Sequence, residues 1–108
     1  MIARIHELLR SLGVTSHDIG FVQAAHAALL AAREPERLTL VTKRLYPDVA
    51  ASFGVTACGV ERNIRTVIRI ARTNNPQLLE QLAGRPLGPR LTVSEFIALL
   101  AQSLGPER

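Results

Sequence analysis

The sequence predicts an all-α domain of six or seven helices containing a helix-turn-helix, and three observations carry that expectation. Of its 108 residues 47% are hydrophobic but only 4% aromatic. The core must therefore be built from Leu, Ile, Val and Ala, which suit packed helices better than a sheet. Apolar residues recur at helical spacing, and no stretch has the alternation of a half-buried strand. Residues 45–73, LYPDVAASFGVTACGVERNIRTVIRIART, have the spacing of two helices joined by a tight turn.

The elements follow in order. Residues 2–12 carry Ile2, Ile5, Leu8, Leu9 and Leu12 at helical spacing, and Gly13 is expected to stop this helix. Thr15 with Asp18 predicts a capping pair for a second helix over about 16–33, with Ile19, Val22, Ala25, Leu29 and Leu30 facing the core. Glu34-Pro35-Glu36 resets the chain and starts a third helix through about Arg44, with Leu38, Val41 and Leu45 inward.

Tyr46-Pro47-Asp48 opens the first helix of the motif, which spans 46–73; Pro in the first turn removes an N–H that has no helical partner anyway. Ala50 sits where two helices must approach closely, and Gly54 supplies the permissive conformation of the turn. Thr56 is a good N-cap for a second helix from Ala57, with Val55, Val60 and Ile64 turned toward the first. Asn74-Asn75-Pro76 ends that helix, with Asn expected in a left-handed cap. Residues 76–83 form a short helix stopped by Gly84, and 85–91 form a loop. Thr92 with Glu95 reads as a capping box for a last helix that ends at Gly105-Pro106.

The helix predicted over 57–73 carries the chemistry. Val60, Ile64, Val67, Ile68 and Ala71 define a buried face, while Arg62, Arg65, Arg69 and Arg72 follow at steps of three, four and three and form a stripe on another face. Cys58, Glu61 and Thr66 lie beside the stripe near its beginning. A row of charges is often only a solvated helix face. Here Glu61 alone offers an intrahelical partner, so four like charges repel one another unless an anion sits opposite. Arginine reads guanine bidentately and also neutralises phosphate. The pattern predicts a recognition helix in the major groove of double-stranded DNA.

Composition narrows the alternatives. The net charge is +4 and the pI about 10.6, which fits a polyanionic partner. No apolar run reaches the roughly 18 residues needed to span a bilayer, and the recognition helix turns its apolar face toward a partner helix, so no membrane partner is expected. The N-terminus lacks a long apolar core with a small-residue cleavage site, so no secretion signal is expected. A single cysteine excludes an internal disulfide and fits a reducing cytoplasm. His6, His17, His26 and Cys58 have no close spacing that would make a zinc site, so no metal and no cofactor are expected. No glycine-rich phosphate loop, nucleophile elbow or framed carboxylate pair is present, so the chain is not expected to be an enzyme.

Beyond the helix-turn-helix, particular residues resemble a known family. They are Thr42-Lys43, Leu45-Tyr46-Pro47-Asp48 and Ala50, then Thr56-Ala57, Val60-Glu61-Arg62, Ile64-Arg65 and Ile68. Ile5-His6-Glu7 and Leu12-Gly13-Val14 near the start, and Ser94-Glu95-Phe96-Ile97-Ala98 near the end, extend the likeness over nearly the whole chain. Together they resemble the C-terminal DNA-binding effector domain of the sporulation master response regulator of endospore-forming Firmicutes.

The resemblance implies a six-helix transcription regulator that binds short promoter elements, often as head-to-tail pairs, and that touches the RNA polymerase sigma subunit. It implies base reading by Glu61, Arg62 and Arg65, with Thr56, Cys58, Thr66 and Arg69 near bases or phosphates and Arg90 near the backbone. Such a regulator is expected in the cytoplasm, associated with the nucleoid. Residues 1–108 are expected to be this effector domain alone, without the phosphorylatable receiver domain that the family carries ahead of it.

The chain departs from the family where Cys58 replaces Ser, Gly59 replaces Arg and Thr66 replaces His. Losing an Arg that reads a base removes about 1–3 kcal/mol of discrimination, so the element recognised is expected to be altered or relaxed. Cys58 has two readings, a small residue tolerated in place of Ser or a thiol whose oxidation sets bulk or charge against DNA. The alternative function is a protein-interaction module that keeps the helix-turn-helix and has lost specific DNA binding.

Overall fold

A computed structural model describes residues 2–15 and 18–104, with the side chains of Val41 and Thr42 excepted. Among these residues six α-helices follow one another: α1 (Ile2–Ser11), α2 (Ile19–Arg33), α3 (Tyr46–Phe53), α4 (Ala57–Asn74), α5 (Pro76–Ala83) and α6 (Val93–Gln102). Among the described residues there is no strand, as the composition predicts. Helix α2 is the hub, packed against α1, α3, α4 and α6. The predicted end of the last helix at Gly105-Pro106, and His17, lie outside the described residues.

The hub is built from small residues. Gly20, Ala24, Ala25, Ala27, Ala28 and Ala31 of α2 are buried with Phe21 and Gln23. This corrects the expected inward face. Ala25 is buried as expected, but Ile19 is 61% exposed, Val22 lies at the surface, and Leu29 and Leu30 are only half-buried. The reason is distance between helices. A Cβ at Gly20 would run into the Asn63 carbonyl oxygen and stand 2.6 Å from Val67 Cγ2, so α4 crosses α2 against a bare backbone. The helices packed around α2 leave most of its inner face room only for small side chains, with Phe21 and Gln23 the larger groups that fit, and its branched aliphatics lie toward the rim.

The start of α2 is also corrected. It begins at Ile19, because the Asp18 carboxylate accepts from both the N–H and the hydroxyl of Thr15, each at 3.2 Å. The Asp18 side chain makes no cap bond to α2, and residue 16, the predicted start of the helix, lies outside the described residues.

The third helix expected from Glu34-Pro35-Glu36 through about Arg44 is replaced by two short windings, a 3-10 turn over Pro35–Thr39 and a π turn over Val41–Leu45. The Leu38 carbonyl, which an α-helix would use for its own ladder, accepts from the Ser94 hydroxyl at 3.0 Å. Arg37 ties the segment at its other side, binding Glu34 (2.8 Å) and Asp48 of α3. Leu45 is buried as expected and Leu38 half-buried.

From there the expected punctuation holds. Tyr46, Val49 and Ala50 of α3 are buried, with Pro47 in the first turn. Gly54 stands at φ 66°, the left-handed region that only glycine enters at little cost, and the Val55 N–H bonds the Ala50 carbonyl at 3.1 Å. Thr56 Oγ1 accepts from the Gly59 N–H at 3.0 Å and starts α4. Val60 and Ile64 are fully buried, but Val55 is 38% exposed, since it lies in the turn ahead of the helical register.

Asn75 is not left-handed: at φ −150° it caps the N-terminus of α5, its Oδ1 accepting from the Leu78 N–H, and its Nδ2 donates to the Ser11 carbonyl. Asn74 donates likewise to Gly13. The two asparagines lash the end of α1 to the end of α4. The capping box is complete, with Glu95 N–H to Thr92 Oγ1 at 3.1 Å and Thr92 N–H to Glu95 Oε1 at 3.0 Å.

Candidate nucleic-acid interface

Helix α4 has two faces of opposite character. Val60, Ile64, Val67, Ile68 and Ala71 are all buried, so the inward stripe read from the spacing is the stripe the core uses. On the outer side Arg62, Arg65 and Arg69 are exposed and Arg72 is half-buried. Eighteen residues make α4 the longest helix, about 27 Å at 1.5 Å per residue.

The eight candidate residues fall into two groups along it. At the N-terminal end stand Thr56, whose hydroxyl is occupied as the cap, and Cys58, an exposed free thiol in the first turn. Glu61 and Arg65 pair one turn apart, with Arg65 Nη2 at 3.1 Å and Nε at 3.3 Å from Glu61 Oε2. Arg62 is exposed, and among the described residues no carboxylate pairs with it. Thr66 is half-buried and donates its hydroxyl to the Arg62 carbonyl at 3.0 Å, so its proton is already used within the helix.

Tyr46 lies under this end of α4. Its phenol is pushed up to about 12, first by burial, then by the Glu61 carboxylate, with Arg65 acting in the opposite direction. The first helix of the motif is thus seated directly beneath the Glu61–Arg65 pair. Gly59, in the first turn, has open space except for Thr56 Oγ1, which an added Cβ would meet at 3.2 Å.

Toward the C-terminal half the outer face becomes concave. Arg65, Arg69 and Arg72 form one wall of a groove of about 750 Å³, and Pro89, Arg90 and Leu91 form the other. The loop that carries Arg90 is held to the helices at three points. Arg72 Nη2 donates to the Gly88 carbonyl at 2.8 Å, the Leu87 N–H to Glu80 at 3.3 Å, and Arg85 pairs with Glu95 at 3.2 Å. Sequence spacing placed Arg72 in the stripe but not among the binding residues. Its contact with Gly88 depends on the path of the loop, for which the sequence carries no periodic signal.

His6 and His26 pack against aromatic rings. His6 stacks on Phe21 at 5.0 Å, and His26 meets Phe53 edge-on and Ser52 at 3.2 Å. Among the described residues no three His, Cys, Asp or Glu side chains converge as metal ligands, and no helix is long and apolar enough to cross a membrane.

An all-helical fold around a capped helix-turn-helix, with arginines along the outer face of its second helix, defines the class of helix-turn-helix DNA-binding domains. The particular family follows from comparison with known families: the one described as Sporulation initiation factor Spo0A C terminal matches residues 5–104. The chain belongs to that family, whose members are DNA-binding domains of a sporulation transcription factor and not enzymes.

Proposed function

We propose that the chain is a sequence-specific regulator of transcription that inserts the N-terminal half of α4 into the major groove of double-stranded DNA. Glu61, Arg62 and Arg65 read base edges, Glu61 accepting from cytosine and the arginines donating to guanine. Thr56, Cys58 and Thr66 border the reading surface, and Arg69 and Arg90 meet phosphates. One observation carries the reading: the arginines occupy the face of α4 opposite its five buried residues, beginning just beyond the capped turn. Phosphate attraction concentrates the protein on duplex DNA, and base contacts then select the site.

Head-to-tail pairing on tandem elements and contact with the RNA polymerase sigma subunit complete the proposal. It places the protein in the cytoplasm, on the nucleoid. Selection of sites from random duplex DNA tests it. An enriched motif is expected, with preference relaxed and affinity lowered by about 1–3 kcal/mol in Arg62→Ala or Arg65→Ala. Salt-sensitive retention without enrichment, unchanged by Arg62→Ala, would instead identify a protein-interaction module.

A further inference from the structure

The groove at the C-terminal half of α4 is lined by four arginines, Arg65, Arg69, Arg72 and Arg90, and by no carboxylate. Of these, Arg65 alone has an acidic partner among the described residues. Arg72 is the least solvated. Its Nη2 is spent on the Gly88 carbonyl, and its Nη1 is buried with no hydrogen-bond partner. A guanidinium nitrogen buried without a partner, beside two arginines that have no acidic partner among the described residues, is costly unless an anion offsets the charge. A stability role alone would call for a carboxylate here. The fold instead leaves the position open and concave.

We infer that this groove is a built phosphodiester site, in which Arg69 and Arg90 grip one backbone phosphate from two sides and Arg72 is the positioning residue that fixes Arg90 by anchoring its loop. The inference rests on the proposal that α4 lies on duplex DNA. The arrangement makes chemical sense for that ligand. Arg69 projects from a rigid helix, whereas Arg90 stands on a loop containing Gly88 and flanked by Pro86 and Pro89. Without an anchor that loop would pay ordering entropy at each binding event. Of the loop's three tethers the Arg72–Gly88 bond is the one nearest Arg90; it removes that cost beside Arg90 itself, and the Arg72 charge adds to the field in the groove. The site carries no sequence information. It sets the orientation of α4, so that the arginines one to two turns earlier reach the same base edges each time.

The test is the salt dependence of binding of the full 108-residue chain to a short duplex of arbitrary sequence. Each phosphate contact contributes about 0.9 to the slope of log affinity against log salt. Arg90→Ala and Arg69→Gln are each expected to lower the slope by about that amount. Arg72→Met keeps the aliphatic packing and is expected to lower it by about as much as the double variant Arg72→Met/Arg90→Ala, because Arg90 without its anchor no longer holds the phosphate. Slopes that fall independently and add, or a slope unmoved by Arg72→Met in a protein that still melts cooperatively, overturn the inference. If Arg72→Met does not fold, the exposed pair decides: Arg69→Gln and Arg90→Ala must be non-additive for one shared phosphate, and additive losses defeat it. The outcome is separable from base reading. Failure of the groove leaves an enriched motif intact, while loss of motif enrichment leaves the slopes measurable on any duplex.

Discussion

Single side chains decide where the helices of this domain begin, and Glu95 is the clearest case. Its carboxyl is held below the usual carboxylate range first by the Thr92 N–H, then by the Thr92 hydroxyl and by Arg85. A lowered native value means that the unfolded chain takes up the proton more readily. The contribution to stability is therefore complete above the ordinary carboxylate range and is lost as pH falls through the lowered value. Thermal melts across acid pH are expected to show a smaller acid-induced drop in Glu95→Gln than in the wild type. Thr92→Ala removes the other half of the box and is expected to cost about 1 kcal/mol at neutral pH. An unchanged acid profile in Glu95→Gln would assign the acid response to other carboxylates, Glu34 first, which Arg37 holds low in the same sense.

At the scale of elements, the position of α4 depends on a close crossing with α2, where Gly20 meets Asn63 and Val67 with no room for a Cβ. Beside it the buried Gln23 side chain accepts from Asn63 Nδ2 at 3.0 Å and fixes how α4 is rotated. Ala at position 20 gains about 1 kcal/mol of helix propensity but must move a backbone carbonyl, an overpacking cost of about 1–3 kcal/mol. The cost wins. Gly20→Ala is expected to lower the melting temperature and weaken DNA binding, although it touches no DNA-facing residue. Gly59→Ala is the control: an added Cβ there meets only the cap hydroxyl, at 3.2 Å, and with the same gain of about 1 kcal/mol in helix propensity its melting temperature is expected not to fall.

This crossing also shows what sequence can and cannot reveal. Helix ends at Gly54, Thr56, Gly84 and Thr92 were legible because each needs one residue type at one position. The arginine stripe was legible because helical spacing alone defines a face. The inner face of α2 was not, since Ile19 and Val22 outrank alanine in hydrophobicity and only the packing of the neighbouring helices shows that alanines, with Phe21 and Gln23, fill it instead. The 3-10 and π windings over 35–45 were equally hidden, because local spacing carries no sign of a partner such as the Ser94 hydroxyl, more than fifty residues away, which bonds the Leu38 carbonyl. Within the site, the Arg72–Gly88 anchor stayed hidden for the same reason.

For the whole molecule, charge and size set the terms of DNA binding. Helix α4 carries four arginines and one glutamate, a net of +3, against +4 for the entire chain, so the attraction to phosphate is concentrated on one side. The described chain measures 33 × 31 × 26 Å, close to the roughly 34 Å of one turn of B-DNA. In the proposed head-to-tail pairing, a copy of this size would span about one turn. Two copies on elements one turn apart would then stand side by side on the same face of the duplex, which makes pairing a matter of helical phase. On duplexes carrying two copies of the selected element, spacing of about 10 base pairs is expected to give cooperative double occupancy in titrations. Inserting about 5 further base pairs rotates the second copy to the opposite face and is expected to abolish cooperativity while leaving both single-site affinities unchanged. Equal cooperativity at both spacings would mean that the copies communicate through the bending of DNA and not by touching, and identical single-site isotherms at every spacing would show that this domain binds its elements one at a time.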